Sequence, residues 1–168
     1  GLLNAPTGTG KTYAVWGGVV NAALRRTEGR KDVAGLRAIW ITPLRALANE
    51  IAESAQVMCD GVGLGWKVGT RTGDTPTKER AAQKKAMPHL LVTTPESLHV
   101  MLSQKGTAEL FKHLDWLIAD EWHELLSTKR GTQTELALAR LRGFASGMRT
   151  WALSATLDNL DEAAQAAV

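Results

Sequence analysis

The chain has 168 residues, 44% of them hydrophobic and 22% charged, with a formal net charge of +3. That length suits one domain able to bury about 70% of its unfolded surface, and the mild positive balance falls well short of a basic nucleic-acid arm. No apolar run approaches the ~20 residues that cross a bilayer, and a single cysteine, Cys59, rules out an internal disulfide or a multi-thiolate metal site.

From the start, Gly1-Leu2-Leu3 has neither a charged n-region nor a cleavage site, so no signal peptide is expected. Together with the lone cysteine this agrees with a reducing, cytoplasmic setting without a membrane role. Leu2 and Leu3 read as the end of a buried strand. Next comes Ala5-Pro6-Thr7-Gly8-Thr9-Gly10-Lys11-Thr12, a glycine-containing loop of the kind whose backbone N–H groups turn inward around phosphate. Ala5 stands where the usual pattern has glycine, leaving Gly8 and Gly10 to supply backbone freedom. In this reading Thr7, Gly8, Thr9 and Gly10 cradle a nucleoside triphosphate, Lys11 brings a mobile positive charge, and Thr12 offers a hydroxyl to Mg²⁺. Tyr13 to Leu24 follows as a helix with Val15, Trp16, Val19, Val20 and Ala23 on its apolar side. Strand, loop and helix together distinguish a phosphate loop from the alternative, an accidental glycine turn before an amphipathic helix.

Thr27 to Gly35 is the clearest surface loop. Beyond it, strands are expected at Leu36 to Thr42, Trp66 to Arg71, Leu90 to Thr93, Trp116 to Asp120 and Thr150 to Ser154, with helices between them. Pro43, Pro76 and Pro95 each follow a threonine, so Thr42, Thr75 and Thr94 are candidate N-caps with proline at the first helical position. Leu44, Leu47, Ile51, Ala55 and Met58 form one helical stripe, and Leu136, Leu138 and Leu141 mark the packing face of a helix from Thr132 to Gly143. Asp158 would cap a last helix through Ala163 and Ala164. Short apolar runs alternating with helical patterns predict an α/β fold, a mostly parallel sheet with helices on both faces. With no repeat or linker, residues 1–168 are expected to form a single domain.

The strand Trp116-Leu117-Ile118-Ala119 runs into Asp120-Glu121-Trp122-His123. Acids that end a strand are often only solvated loop residues, but in an open α/β sheet the carboxyl edge is where ligands bind, and the phosphate loop belongs to that edge. The two motifs should therefore meet, with Asp120 holding Mg²⁺ and Glu121 orienting the water that attacks the γ-phosphorus. Of the tryptophans, Trp16, Trp40, Trp66, Trp116 and Trp151 fall at apolar positions and are expected to pack; Trp122 is the one candidate for stacking on a base. Lys78, Arg80, Lys84 and Lys85, interrupted by Glu79, read as a solvated face.

With Ser154-Ala155-Thr156 after the last strand, the set resembles the first motor lobe of a superfamily-2 helicase. The resemblance is carried, in family order and over almost the whole chain, by Ala5 to Thr12, Thr42 to Leu47, Arg71-Thr72-Gly73-Asp74, Thr94-Pro95-Glu96-Ser97, Asp120 to His123 and Ser154 to Thr156. His123 marks a DExH member. Asp120 to Leu126, with Lys129-Arg130-Gly131 and Glu135 to Leu138, is similar to the large helicase-related (Lhr-type) group, the tryptophan version to its bacterial ligase-associated branch. The resemblance implies a RecA-like P-loop domain, ATP with Mg²⁺, and a 3′-to-5′ single-strand translocase linked to DNA repair. It further implies coupling through His123, Ser154 and Thr156, and single-stranded nucleic acid held at Thr42, Arg45, Arg71, Gly73 and Thr94, DNA being the expected strand. Lys129 and Arg130 are also candidates for the backbone, or an ordinary solvated loop. The chain would be one ATP-binding lobe, cut into at its start, whose partner is a second RecA-like lobe carrying the arginine finger. Two readings of other kinds stay beside it: a P-loop small-molecule kinase or NTPase, which would need an acceptor pocket and lid, and an ATP-gated nucleic-acid-binding module without turnover of its own.

Overall fold

Period-two alternation in the short apolar runs sends neighbouring side chains to opposite faces of one sheet. The computed structural model describes residues 1–6, 10–27, 34–126 and 129–155. In chain order it has β1 (Leu2–Asn4), α1 (Lys11–Thr27), β2 (Ala38–Ile41), α2 (Arg45–Gly61), β3 (Val68–Arg71), α3 (Thr77–Lys85) and β4 (Leu90–Thr93). Then follow α4 (Pro95–Leu102), α5 (Thr107–Phe111), β5 (Trp116–Ala119), α6 (Trp122–Leu126), α7 (Lys129–Phe144) and β6 (Arg149–Ser154). The strands form one sheet in the order β1-β6-β5-β2-β4-β3, every neighbouring pair parallel. The expected parallel sheet covered on both faces is what forms.

The alternation is visible strand by strand. Ile39 and Ile41, Leu91, and Leu117 and Ala119 join Leu98, Leu102, Trp122, Leu138 and Leu141 in one core cluster under α4 to α7. Ala38 and Trp40, Leu90 and Val92, and Trp116 and Ile118 join Trp16, Val19, Val20, Ala55 and Cys59 in the other, under α1 and α2. Strands β2, β4 and β5 are buried along their full length, which is why they read as continuous apolar runs. Trp66 lies between Trp16 and Trp116 with ring centroids 6.1 and 6.0 Å away, tilted contacts within the range of favourable aromatic pairs. The Cys59 thiol is fully buried and burial pushes its pKa up to about 11, so it behaves as a small apolar residue.

Several local expectations are corrected. Thr94 does cap α4, accepting from Ser97 N at 3.4 Å, with Pro95 at the first turn. Thr42 does not cap α2, which starts at Arg45 after Leu44; its hydroxyl instead accepts from Leu44 N at 3.3 Å. Thr75 does not cap α3 either, since its oxygen accepts from Thr72 N at 2.9 Å and so closes the loop before the helix. Both threonines face turns that must be closed first, so their oxygens are spent there. Leu44 is exposed, and the buried face of α2 runs through Ala48, Ala55 and Cys59. Leu136 is also exposed, because α7 turns Ala137, Leu138 and Leu141 to the core. Lys129 to Gly131, taken as loop, form the first turn of α7. Trp151 is 38% exposed, although its ring lies against Gly1, where a Cβ would come within 2.9 Å of it. The expected helix from Asp158 lies outside the described residues.

Candidate functional site

Register decides what meets at the carboxyl edge of the sheet. Asn4 of β1 pairs with Ser154 of β6, and Ala5 N donates to the Ser154 carbonyl at 3.1 Å. Ala119 of β5 pairs with Ala152 of β6, so Ser154, two residues on, is level with the acidic pair. The chain leaving β1 and the chain leaving β5 are therefore separated by one strand, a span of about 10 Å. Sequence motifs more than a hundred residues apart become neighbours because parallel strands all end on the same side.

At the β1 side, Gly10 has φ of +80°, a left-handed backbone that glycine adopts without steric cost. Its carbonyl accepts the first helical bond of α1, from Ala14 N at 3.0 Å, and a Cβ there would meet nothing within 4 Å, so conformation is what demands glycine. Lys11 and Thr12 open α1, both half-buried. The Lys11 ammonium donates to the carbonyls of Ala5 and, at 2.9 Å, Pro6, which folds the lysine back over the loop. Thr7, Gly8 and Thr9 lie outside the described residues.

At the β5 side, Asp120 is fixed from two directions: its Oδ1 accepts from Glu121 N at 2.9 Å and its Oδ2 from the Trp40 indole N–H at 3.4 Å. Trp40, expected only to pack, thus also orients an acid, a role its apolar position does not signal. Burial pushes the Asp120 carboxyl pKa up; the Glu121 N–H opposes this, the Glu121 charge adds to it, and Trp40 and the Lys11 charge oppose it. The Lys11 charge is the smallest of these influences, and the sheet register rather than this effect is what brings the two segments to one edge. A desolvated carboxylate of this kind is a good ligand for a hard cation. Glu121 sits at φ 48°, an uncommon conformation for a residue with a side chain, and its carbonyl accepts from Glu124 N at 2.9 Å to begin α6. His123 Nδ1 is 2.9 Å from Ser154 Oγ and 3.6 Å from Glu121 Oε2, joining the acidic segment to the end of β6. Thr156 lies outside the described residues. Trp122 is 1% exposed and packs in the core beneath α4 to α7; the idea of a base-stacking platform there is overturned.

Of the remaining candidates, Arg45, Arg71 and Gly73 line a groove of about 240 Å³ together with Thr72, Arg80, Glu96 and Ser97, and Thr42 and Thr94 do not. Arg45 is exposed and lies flat against Gly73, where a Cβ would come within 2.9 Å of its Nη1. It also pairs loosely with Asp74 at 3.7 Å, an exposed contact of little energetic consequence. Arg71 lines the groove but is 8% exposed, with Nη1 3.4 Å from Gln83 Oε1. Thr42 and Thr94 are buried and their hydroxyls are engaged within the lobe. Arg80, read as part of a solvated face, turns inward: its guanidinium donates to the carbonyls of Thr75 at 2.8 Å, Thr72 at 3.0 Å and Gly73 at 2.8 Å. One fork of donors holds the whole Thr72–Thr75 turn, which only a planar guanidinium can do.

Among known proteins, the family model for the DEAD/DEAH box helicase matches residues 2–163. The chain is 33% identical over 98% of its length to the ATP-dependent helicase Lhr-Core protein 2 of Thermococcus barophilus, of which it covers 20%. It superposes on the Mycobacterium smegmatis helicase Lhr bound to ssDNA and AMP-PNP with a TM-score of 0.81 and 32% identity, over 98% of this chain and 22% of that one. Its fold also matches the DEAD-box helicase Mss116 bound to ssRNA and UDP-BeF, with a TM-score of 0.85 at 24% identity over 99% of this chain and 34% of that one. The chain thus spans about a fifth of the Lhr-type relatives. Among the described residues no helix is long and apolar enough to cross a membrane. The chain belongs to the DEAD/DEAH box helicase family, as a RecA-like lobe similar to the first lobe of Lhr-type helicases.

Proposed function

We propose that this chain is the ATP-binding motor lobe of a nucleic-acid translocase that turns ATP over in concert with a second RecA-like lobe. The observation that carries the reading is the parallel register that ends β1, ahead of Lys11, and β5, ahead of Asp120, at one edge of the sheet with only β6 between them. Lys11 exchanges the carbonyls of Ala5 and Pro6 for the β- and γ-phosphate oxygens, while Gly10 and the start of α1 present backbone N–H groups to the same anion. Thr12 and Asp120 would hold Mg²⁺, which when bound neutralises phosphate charge; a buried acid oriented by Trp40 and Glu121 N suits that ligand. Glu121 orients the attacking water and accepts its proton as the water oxygen bonds to the γ-phosphorus and the bond from that phosphorus to the β,γ-bridging oxygen breaks, ADP leaving with the bridging oxygen. The His123–Ser154 contact supports a path by which the γ-phosphate is felt at β6 and beyond.

The other end of the same edge grips the strand. Arg45 and Gly73, exposed beside Thr72, suit contacts to sugar and phosphate that carry no sequence preference. The ssDNA held by the Mycobacterium smegmatis helicase Lhr supports DNA as the strand; a 3′-to-5′ direction and a link to DNA repair are further parts of this proposal. The test is ATP hydrolysis by the full-length protein with and without single-stranded DNA. Parent protein should be stimulated by the strand, Lys11→Ala inactive, and Glu121→Gln able to bind ATP yet not hydrolyse it. The isolated lobe should be slower by about 10³ to 10⁵, the contribution of an arginine finger it does not carry. Turnover by Glu121→Gln at the parent rate would remove the assignment of Glu121. Turnover indifferent to strands but dependent on a small-molecule acceptor would favour a P-loop kinase.

A further inference from the structure

A second cavity of about 460 Å³ opens beside the groove at Arg45 and Gly73, and Arg71 and Gln104 line both. Because Arg71 ends β3, at the opposite edge of the sheet from β1, this cavity lies on the side away from the phosphate loop. Lys84 and Lys105 stand on its wall, both exposed, and Met87 and Met101 form apolar surface within it. Glu109, also on the wall, is paired with Lys112 at 2.6 Å, so its charge is already met.

Arg71 is the unusual member. The residue is 8% exposed, and its guanidinium makes one long hydrogen bond to an amide oxygen and has no carboxylate at ion-pair distance among the described residues. Burial and the neighbouring Arg80 charge both lower its pKa. A buried cation without a counter-ion is costly, and Arg71 lines both cavities. An anion reaching Arg71 from either side would supply what the fold leaves out.

We propose that the cavity at Arg71, Lys84 and Lys105 is a second phosphate subsite for the bound strand, taking the nucleotides that run past the Arg45–Gly73 groove. The proposal rests on the strand-binding reading of that groove. Arg71 bridges the two positions, Lys84 and Lys105 flank the outer phosphates, and the half-buried Met87 gives ribose or base an apolar surface. The charge pattern selects a polyanion, and the shared lining residues select one continuous with the first groove.

The test uses the full-length protein with oligothymidylates of increasing length, each titrated across potassium chloride concentration. For the parent, log affinity against log salt should steepen by about 0.7 per added phosphate contact once the strand is long enough to enter the cavity. Lys84→Gln with Lys105→Gln should lose about 1.4 of that slope and weaken long strands about tenfold at low salt, leaving the shortest binding strand unaffected. Lys84→Arg with Lys105→Arg should restore the length dependence, which a merely structural loss would not allow. Equal losses on short and long strands, or none on either, would overturn the subsite. Arg45→Ala separates the two levels: if it weakens every length while the glutamine pair is silent, only the subsite falls. If Arg45→Ala is silent too, the strand-binding reading falls with it.

Discussion

Glu121 lies just past the buried strand β5 and, in the proposed role, aims a carboxylate from there, and its backbone carries the cost. At φ 48° its Cβ is crowded by the carbonyl, a penalty of about 1–2 kcal/mol for an L-residue. The conformation persists because both flanks are fixed: Asp120 N donates to the Ile41 carbonyl at 2.8 Å, and Trp122 is locked in the core. Glu121→Ala and Glu121→Gly both delete the carboxylate, yet only glycine escapes the crowding. Against that gain stands glycine's greater freedom in the unfolded chain, about 0.4–1 kcal/mol. The difference leaves the glycine variant ahead by about 1 kcal/mol, which for a domain of this size is a melting point higher by about 2–4 °C. Thermal unfolding followed by tryptophan fluorescence reads this directly, and both variants should be equally dead in ATP hydrolysis. An alanine variant as stable as the glycine one would mean that the residue is not held in the left-handed region.

The pH dependence of Asp120 has a definite sign. Burial raises its folded pKa, so the folded protein holds this proton more tightly than the unfolded chain does, and stability falls as pH rises from about 3.9 through the raised value. In nucleotide-free protein Asp120→Asn should therefore melt higher than the parent at pH 7, with the advantage gone below about pH 4; a constant difference across that window would contradict the burial argument. Trp122→Ala should cost about 3–5 kcal/mol in urea unfolding because the ring is a core residue. A stable variant with weak strand binding would instead return Trp122 to the nucleic-acid surface. Arg80→Ala should speed amide exchange at Thr72 to Thr75 by about ten- to a hundredfold, a loss of roughly 1–3 kcal/mol from partly exposed, charge-assisted bonds. Arg80→Lys should not restore protection, since an ammonium cannot span three carbonyls, and ATP affinity should be unchanged.

Much of this lobe is written locally. In Ala38 to Ile41 or Trp116 to Ala119, alternate residues serve opposite faces, and because both faces are covered every position is apolar; strand, class and parallel pairing follow from that pattern alone. The phosphate loop and the acidic pair are legible for a related reason: their chemistry needs particular residues at fixed spacing, and both sit where strands end. The five-residue helices α5 and α6 are too short to show a helical period, and so pass unnoticed in sequence.

What tertiary structure decided are the choices among locally equivalent options. Leu44 and Leu136 continue apolar stripes, yet Leu44 stands exposed just before α2 begins and Leu136 lies where α7 faces solvent, and only the packing determines that. Thr42 and Thr75 look like caps as much as Thr94 does, but a hydroxyl oxygen goes to the donor that the neighbouring turn brings nearest. Arg80 reads as a surface cation until the Thr72–Thr75 carbonyls converge on it. Trp122, polar by its neighbours in sequence, is buried because the left-handed turn at Glu121 directs α6 back onto the sheet. Residue type and periodicity are properties of one segment, whereas the direction of a side chain and the partner it finds depend on the segment that folds against it.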